Sequence, residues 1–217
     1  MAGLNELKYE IDSPSEPTGE GIIFIPGASG GALGSRWQGL ADAAVRNGFC
    51  LLRFESWAGP KELEQKCIKE VRQEIDWLIG KLSQKGCRRI GIVAKSFGGM
   101  IALAYMNSLV GGMVLWAPAL GVSQSPNITE STPFGEFENA QDINPGKEDL
   151  SGLKIPVRII HGTADDVVDI GNSRKLIEAL PSAELVTMLG AGHSFKPESC
   201  QKELFNKTLE FLKKVLK

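Results

Sequence analysis

Apolar residues fall along the chain in two rhythms. Short unbroken runs alternate with longer stretches in which apolar positions recur every three or four residues. The runs are Gly21 to Pro26, Phe49 to Phe54, Arg89 to Ala94, Gly112 to Trp116, Ile155 to His161 and Glu184 to Leu189; each predicts a strand, and Gly21 to Pro26 a buried one. A weaker alternating segment, Leu7 to Ile11, predicts a strand at a sheet edge. Helical spacing is found in Trp37 to Asn47, where Gly48 is placed to stop it, and in Glu62 to Lys85. The second of these carries Leu63, Cys67, Val71, Ile75, Leu78 and Leu82 along one face. Phe97 to Asn107, Asp169 to Leu180 (ended by Pro181) and Ser199 to Leu216 complete the helices.

Strands that alternate with helices predict an α/β fold, with a mostly parallel sheet flanked by helices on both faces. One such domain accounts for residues 1–217. The exception is 118–154, rich in Pro, Asn, Ser and Gly, with a helical turn or two around Phe134 to Ala140. A stretch of this kind inside a compact domain reads as a short insertion or partial lid with a functional role. There is no internal repeat.

Composition narrows the function classes. At 217 residues the chain suits one well-buried core, and 42% hydrophobic with 23% charged residues is the balance of an ordinary globular domain. A net charge of -2 supplies no field for nucleic acid or an anionic membrane. No apolar run approaches the roughly 18–20 residues of a membrane span. Met1 to Pro17 lacks the apolar segment of a secretory signal, and the four cysteines are scattered, so a cytoplasmic location is expected. Two histidines far apart in sequence, with no clustered ligands, predict neither a metal site nor a cofactor. The oligomeric state is not legible.

Three segments carry chemistry. Ala94-Lys95-Ser96-Phe97-Gly98-Gly99 follows a strand and opens a helix, so a tight turn would lift Ser96 above the sheet edge. Such a turn needs small residues two before and two after, and Ala94 and Gly98 qualify, although Ala94 replaces the usual glycine. The alternative is a helix N-cap in a small-residue turn. His161-Gly162-Thr163-Ala164-Asp165-Asp166-Val167-Val168 ends another strand and puts two carboxylates on the same rim; one or both serve equally well as helix caps. Gly190-Ala191-Gly192-His193-Ser194-Phe195 follows the last strand and places His193 in a glycine-rich loop, whereas His161 at a strand end suits a structural hydrogen bond.

With these motifs in the order Ser96, Asp165, His193, the chain resembles the α/β-hydrolase-fold serine hydrolases over most of its length. The resemblance implies a catalytic triad of Ser96 at a nucleophile elbow, His193 as base and Asp165 as its orienting acid, with Asp166 well behind. It implies an oxyanion hole made by the backbone N–H groups of Phe97 and Ala28, with Ser29 the second choice for the latter. Many members carry a large lid where this chain has only 118–154, which implies an open or partly covered pocket. Trp57, Trp116, Phe134 and Phe137 are candidate apolar walls. In size and layout the chain is similar to small, lidless carboxylesterases and dienelactone-hydrolase-like proteins, although dienelactone hydrolases proper use Cys where Ser96 stands. The activity implied is cleavage of a small-molecule carboxylic ester or thioester through an acyl-enzyme. The rivals are a non-hydrolytic binding or scaffold module, and acyl-transfer or lyase chemistry on the same triad.

Overall fold

Five of the six apolar runs become interior strands of one sheet, where Val, Ile and Leu side chains can be covered on both faces, while Glu184 to Leu189 becomes its partly exposed edge. The computed structural model describes residues 4–105, 107–119, 131, 133–136, 150 and 152–217. Among them, β1 (Lys8–Asp12), β2 (Glu20–Ile25), β3 (Cys50–Glu55), β4 (Arg89–Lys95), β5 (Val110–Trp116), β6 (Val157–Gly162) and β7 (Ala183–Met188) form a sheet in the order β1-β3-β2-β4-β5-β6-β7. Only β1 runs antiparallel to its neighbour. The expected mostly parallel α/β architecture is therefore the one observed.

The strands alternate their side chains between two cores. Ile23, Ile25, Ile92, Ala94, Leu115 and Ile159 meet α3 (Ile68–Gln84), α4 (Phe97–Leu103) and α5 (Ile170–Ala179) on one face. Ile22, Phe24, Val93, Val114, Trp116 and Ile160 meet α1 (Gln38–Arg46) and α6 (Glu198–Val215) on the other. The helix between β3 and α3, here α2, is a single short turn, Pro60–Leu63. The edge strand is fastened by Arg53, a buried side chain whose guanidinium pairs with Glu10 and Asp12, each at 2.9 Å. No described helix is long and apolar enough to cross a membrane.

Two predicted helices are shorter in the fold. The continuous helix expected over Glu62 to Lys85 breaks between Leu63 and Ile68. Cys67 is extended there, its N–H bonded to the Glu70 carboxylate at 3.2 Å, so that it starts a new helix. The carbonyls freed by the break accept from the insertion: Glu64 from Gly135 N–H at 2.8 Å and Lys66 from Phe134 N–H at 2.7 Å. The helix expected to reach Asn107 stops at Leu103, and Tyr105 instead donates its hydroxyl to Asp76 at 2.6 Å. Of the insertion, Phe134–Glu136 form a 3₁₀ turn, and most of its remainder lies outside the described residues.

Candidate active site

Ser96 joins β4 to α4 with φ 51° and ψ −120°, a conformation an L-residue adopts only under constraint. The constraint is visible on both sides of the residue. Its N–H donates to Trp116 O at 2.9 Å, and its carbonyl accepts from Gly99 N–H at 2.9 Å and Ala119 N–H at 3.1 Å. Small neighbours make the turn possible. A Cβ on Gly98 would stand 2.7 Å from Ile25 O and closer still to Pro26 O. One on Gly27 would stand 3.2 Å from Ser96 Cβ.

The β2 loop is pressed against this elbow. Gly27 O accepts from the Trp57 indole Nε1–H at 3.0 Å and from Gly30 N–H at 2.9 Å. Gly30 has φ +63°, and any side chain there would collide with the Trp57 carbonyl. Ala28 N–H and Phe97 N–H donate to no backbone carbonyl among the described residues. Each follows directly on one partner of the Gly27–Ser96 contact.

The β6 and β7 loops are knitted together at the same edge of the sheet. Thr163 N–H donates to Met188 O, and Ala164 N–H to Ala191 O, both at 3.0 Å. Gly190 N–H donates to Thr163 Oγ1 at 2.8 Å. This lacing places His193 Nδ1 2.9 Å from Asp165 Oδ2. The Asp165 carboxylate is 1% exposed, and its other oxygen accepts from Val167 N–H at 3.0 Å and Val168 N–H at 2.8 Å. Of the two adjacent carboxylates it is Asp165 that meets the imidazole, whereas Asp166 is exposed. With Nδ1 donating to Asp165, His193 keeps Nε2 as its acceptor nitrogen.

Electrostatics favours a neutral imidazole beside a charged acid. Burial raises the Asp165 pKa, but the Val168 N–H, the His193 bond and the Val167 N–H together carry it below its ordinary value. The His193 pKa is lowered, first by burial and then by the positive charge of Lys95, against the pull of Asp165. Lys95 itself is buried, and its pKa falls to about 8, chiefly through burial and then through Arg36. Arg36 lies over the Trp37 ring at 4.8 Å and donates to the Ser194 carbonyl at 3.2 Å. The two cations thus reach the loops of Asp165 and His193 from β4 and from the segment before α1. The pattern of apolar residues gives no sign of this, because the approach of Lys95 to His193 joins segments far apart in sequence.

The candidate walls separate into three groups. Trp57 and Phe134 meet Phe97 edge-on, with ring centroids 6.4 Å and 5.1 Å away, forming an aromatic stack behind the residue after Ser96. Trp116 is a correction. It is fully buried in the second core between Phe24, Trp37 and Phe205, and its Nε1–H donates to Thr208 Oγ1 at 2.9 Å. Its place in β5 alternates it onto the face opposite the Trp57–Phe97–Phe134 stack. Phe137 lies outside the described residues. Among the described residues there is no cluster of three or more His, Cys, Asp or Glu that could hold a metal ion.

A model of the prolyl oligopeptidase family matches residues 54–217. A non-heme chloroperoxidase of Kitasatospora aureofaciens is 41% identical over 69 residues, a match that spans 31% of this chain and only 25% of that protein. Among solved structures, Est1E of Butyrivibrio proteoclasticus with bound ferulic acid superposes with a TM-score of 0.77 at 17% identity, covering 96% of this chain and 95% of that one. A monoacylglycerol lipase of Paleococcus ferrophilus gives 0.74 at 18% identity, covering 95% and 98%. A dienelactone hydrolase of Anabaena variabilis gives 0.74 at 19%, covering 99% and 95%. At these identities the three structures speak to the fold, which is that of the α/β-hydrolases.

Proposed function

The chain belongs to the prolyl oligopeptidase family, and from that premise we propose that it is a serine hydrolase cleaving a small carboxylic ester or thioester. Ser96 is the nucleophile, His193 the general base and Asp165 the acid that orients it. The single observation that carries this reading is the 2.9 Å bond from His193 Nδ1 to a buried Asp165 carboxylate, on the same sheet edge as a strained Ser96. Buried charge is costly, so a carboxylate supplied with this many donors has a specific task.

In the reaction, Ser96 Oγ attacks the carbonyl carbon while His193 Nε2 takes its proton. The alcohol or thiol leaves with that proton as its bond to the acyl carbon breaks. Water then attacks the acyl-enzyme, gives a proton to His193 and releases Ser96 with the acid product. Asp165 fixes the imidazole tautomer and stabilises its cationic form. The Ala28 and Phe97 N–H groups hold the oxyanion in both steps. The buried stack of Trp57, Phe97 and Phe134 supports the loops that carry those two N–H groups. Neither a cofactor nor a nucleic acid takes part, and four unpaired cysteines support a cytoplasmic location.

Family membership favours one second reading, cleavage of a peptide bond by the same triad. Intact-mass labelling with a small fluorophosphonate at neutral pH tests the shared premise. One adduct is expected on wild type and none on Ser96→Ala. A folded wild type that takes no adduct would leave a binding or scaffold role. Turnover of p-nitrophenyl esters, acyl thioesters and a proline-containing peptide amide then separates the two hydrolytic readings.

A further inference from the structure

Resting on the triad reading above, we propose that His161 is a positioning residue for the acid: it braces the Asp165 turn from inside the sheet and tunes the hold of Asp165 on His193. His161 belongs to β6 and has no exposed surface. Its Nε2 is 2.9 Å from Val168 O and 3.3 Å from Asp165 Oδ2. Both of those atoms are acceptors, so the ring proton sits on Nε2 and is donated to Val168 O. Nδ1 is then the acceptor, and the buried Ser173 hydroxyl on α5 donates to it at 2.6 Å. The two acceptors at Nε2 set the tautomer, and the Ser173 hydroxyl, able to donate or accept, conforms to it.

The result is a closed circuit. Val168 presents its carbonyl to His161 and its N–H to Asp165 Oδ1, so fixing Val168 fixes the carboxylate plane. Asp165 Oδ2 faces two imidazoles, accepting from His193 and lying beside the N–H edge of His161. Any buried imidazole needs a partner on each ring nitrogen; what marks His161 is that its N–H edge lies on the same carboxylate oxygen as a second imidazole. The positive N–H edge draws on the charge that Asp165 offers to His193 and also opposes a proton on His193 directly. The charged and titratable groups facing His193 are Asp165 and His161 from the β6 side and Lys95 from β4, with Arg36 held on the next carbonyl.

The chain has two histidines, so their Hε1 resonances can be followed separately by NMR through a pH titration. His161→Leu removes the N–H edge, and the His193 titration is expected to move to higher pH. The acid limb of kcat/KM for p-nitrophenyl acetate should move with it. Its plateau should fall about tenfold, the worth of a hydrogen bond that serves a charged group. His161→Gln, which keeps an amide donor for Val168 O, should restore most of both. Where the leucine variant does not fold, Ser173→Ala removes the donor on Nδ1 that polarises the ring, weakens the N–H edge and should shift His193 in the same direction by less. A folded His161→Leu or Ser173→Ala with the wild-type His193 titration overturns the proposal. Absence of a fluorophosphonate adduct on wild type would instead sink the hydrolase reading, while the titration still tests the coupling between the two histidines.

Discussion

Trp57 and Gly27 are joined by a hydrogen bond from the indole Nε1–H to the glycine carbonyl, 3.0 Å long and wholly out of contact with solvent. The same indole lies edge-on to Phe97, and its main chain is pressed against Gly30. One side chain therefore references both loops that carry the proposed oxyanion donors, Ala28 and Phe97. Such donors act through preorganisation, so loosening their support should cost the chemical step more than substrate binding.

Trp57→Phe keeps a ring in the core and deletes the donor. Gly27 O retains its bond from Gly30 N–H, so the fold survives, with a stability loss of about 1–3 kcal/mol from the lost bond and the smaller ring. Ester kinetics should show kcat reduced with KM nearly unchanged. A rise in KM at constant kcat would make Trp57 a substrate wall rather than a support for the loops.

Gly98→Ala should be far more damaging than its size suggests. The added methyl meets two main-chain carbonyls, those of Ile25 and Pro26, which have no flexible end to give way. Overpacking of this kind costs about 1–3 kcal/mol, and here relief comes only from opening the elbow. Denaturant unfolding and fluorophosphonate labelling should fall together. Full labelling at wild-type stability would show that the elbow does not need the close approach of the β2 loop.

Most of the scaffold was legible because its signals are local. Unbroken apolar runs such as Ile22–Ile25 gave the strands, and Ala94 and Gly98 gave the tight turn at Ser96. Where two elements compete for one stretch, local signals were insufficient. The apolar face of Glu62 to Lys85 continues across a break that Cys67 and Glu70 create, and nothing in the spacing of Leu63 and Val71 reports it. Trp116 has the same character: its apolar neighbours in β5 look identical from both faces, and only strand parity assigns it to the core with Thr208. Interactions across the sheet edge, such as Lys95 with His193 and Arg36 with the Ser194 carbonyl, depend on segments far apart in sequence converging. They become visible only in three dimensions.

Asp165 should make the protein acid-sensitive over a defined range. Its folded pKa lies below the ordinary 3.8, so the charged carboxylate contributes stability above that value. The contribution is lost as pH falls from 3.8 through the lower folded value. Asp165→Asn has no such proton to take up. Chemical unfolding of both proteins should therefore show the wild type losing more stability than the variant on acidification below 3.8. Parallel losses would mean that the carboxylate is not held by the charge-assisted bonds of Val167, Val168 and His193.

Lys95 should set the acid limit of activity. Its charge lowers the His193 pKa, so the base stays neutral and competent at lower pH than an isolated imidazole with its ordinary 6.5. Lys95 titrates at about 8, so it is fully charged throughout the range in which His193 takes up its proton. Lys95→Met should raise the His193 pKa and move the acid limb of kcat/KM to higher pH, leaving the neutral plateau little changed. Lys95→Arg, which keeps the charge, should leave the limb where it is. The linked stability has its own sign. A lysine whose folded pKa is depressed is least compatible with the fold when protonated, so wild type should gain stability as pH rises from about 8 towards 10.5. Lys95→Met lacks that gain and should be at least as stable at neutral pH, because no ammonium is buried. An unmoved acid limb in a folded Lys95→Met would leave Lys95 a packing residue of the elbow, with burial, Asp165 and His161 setting the base.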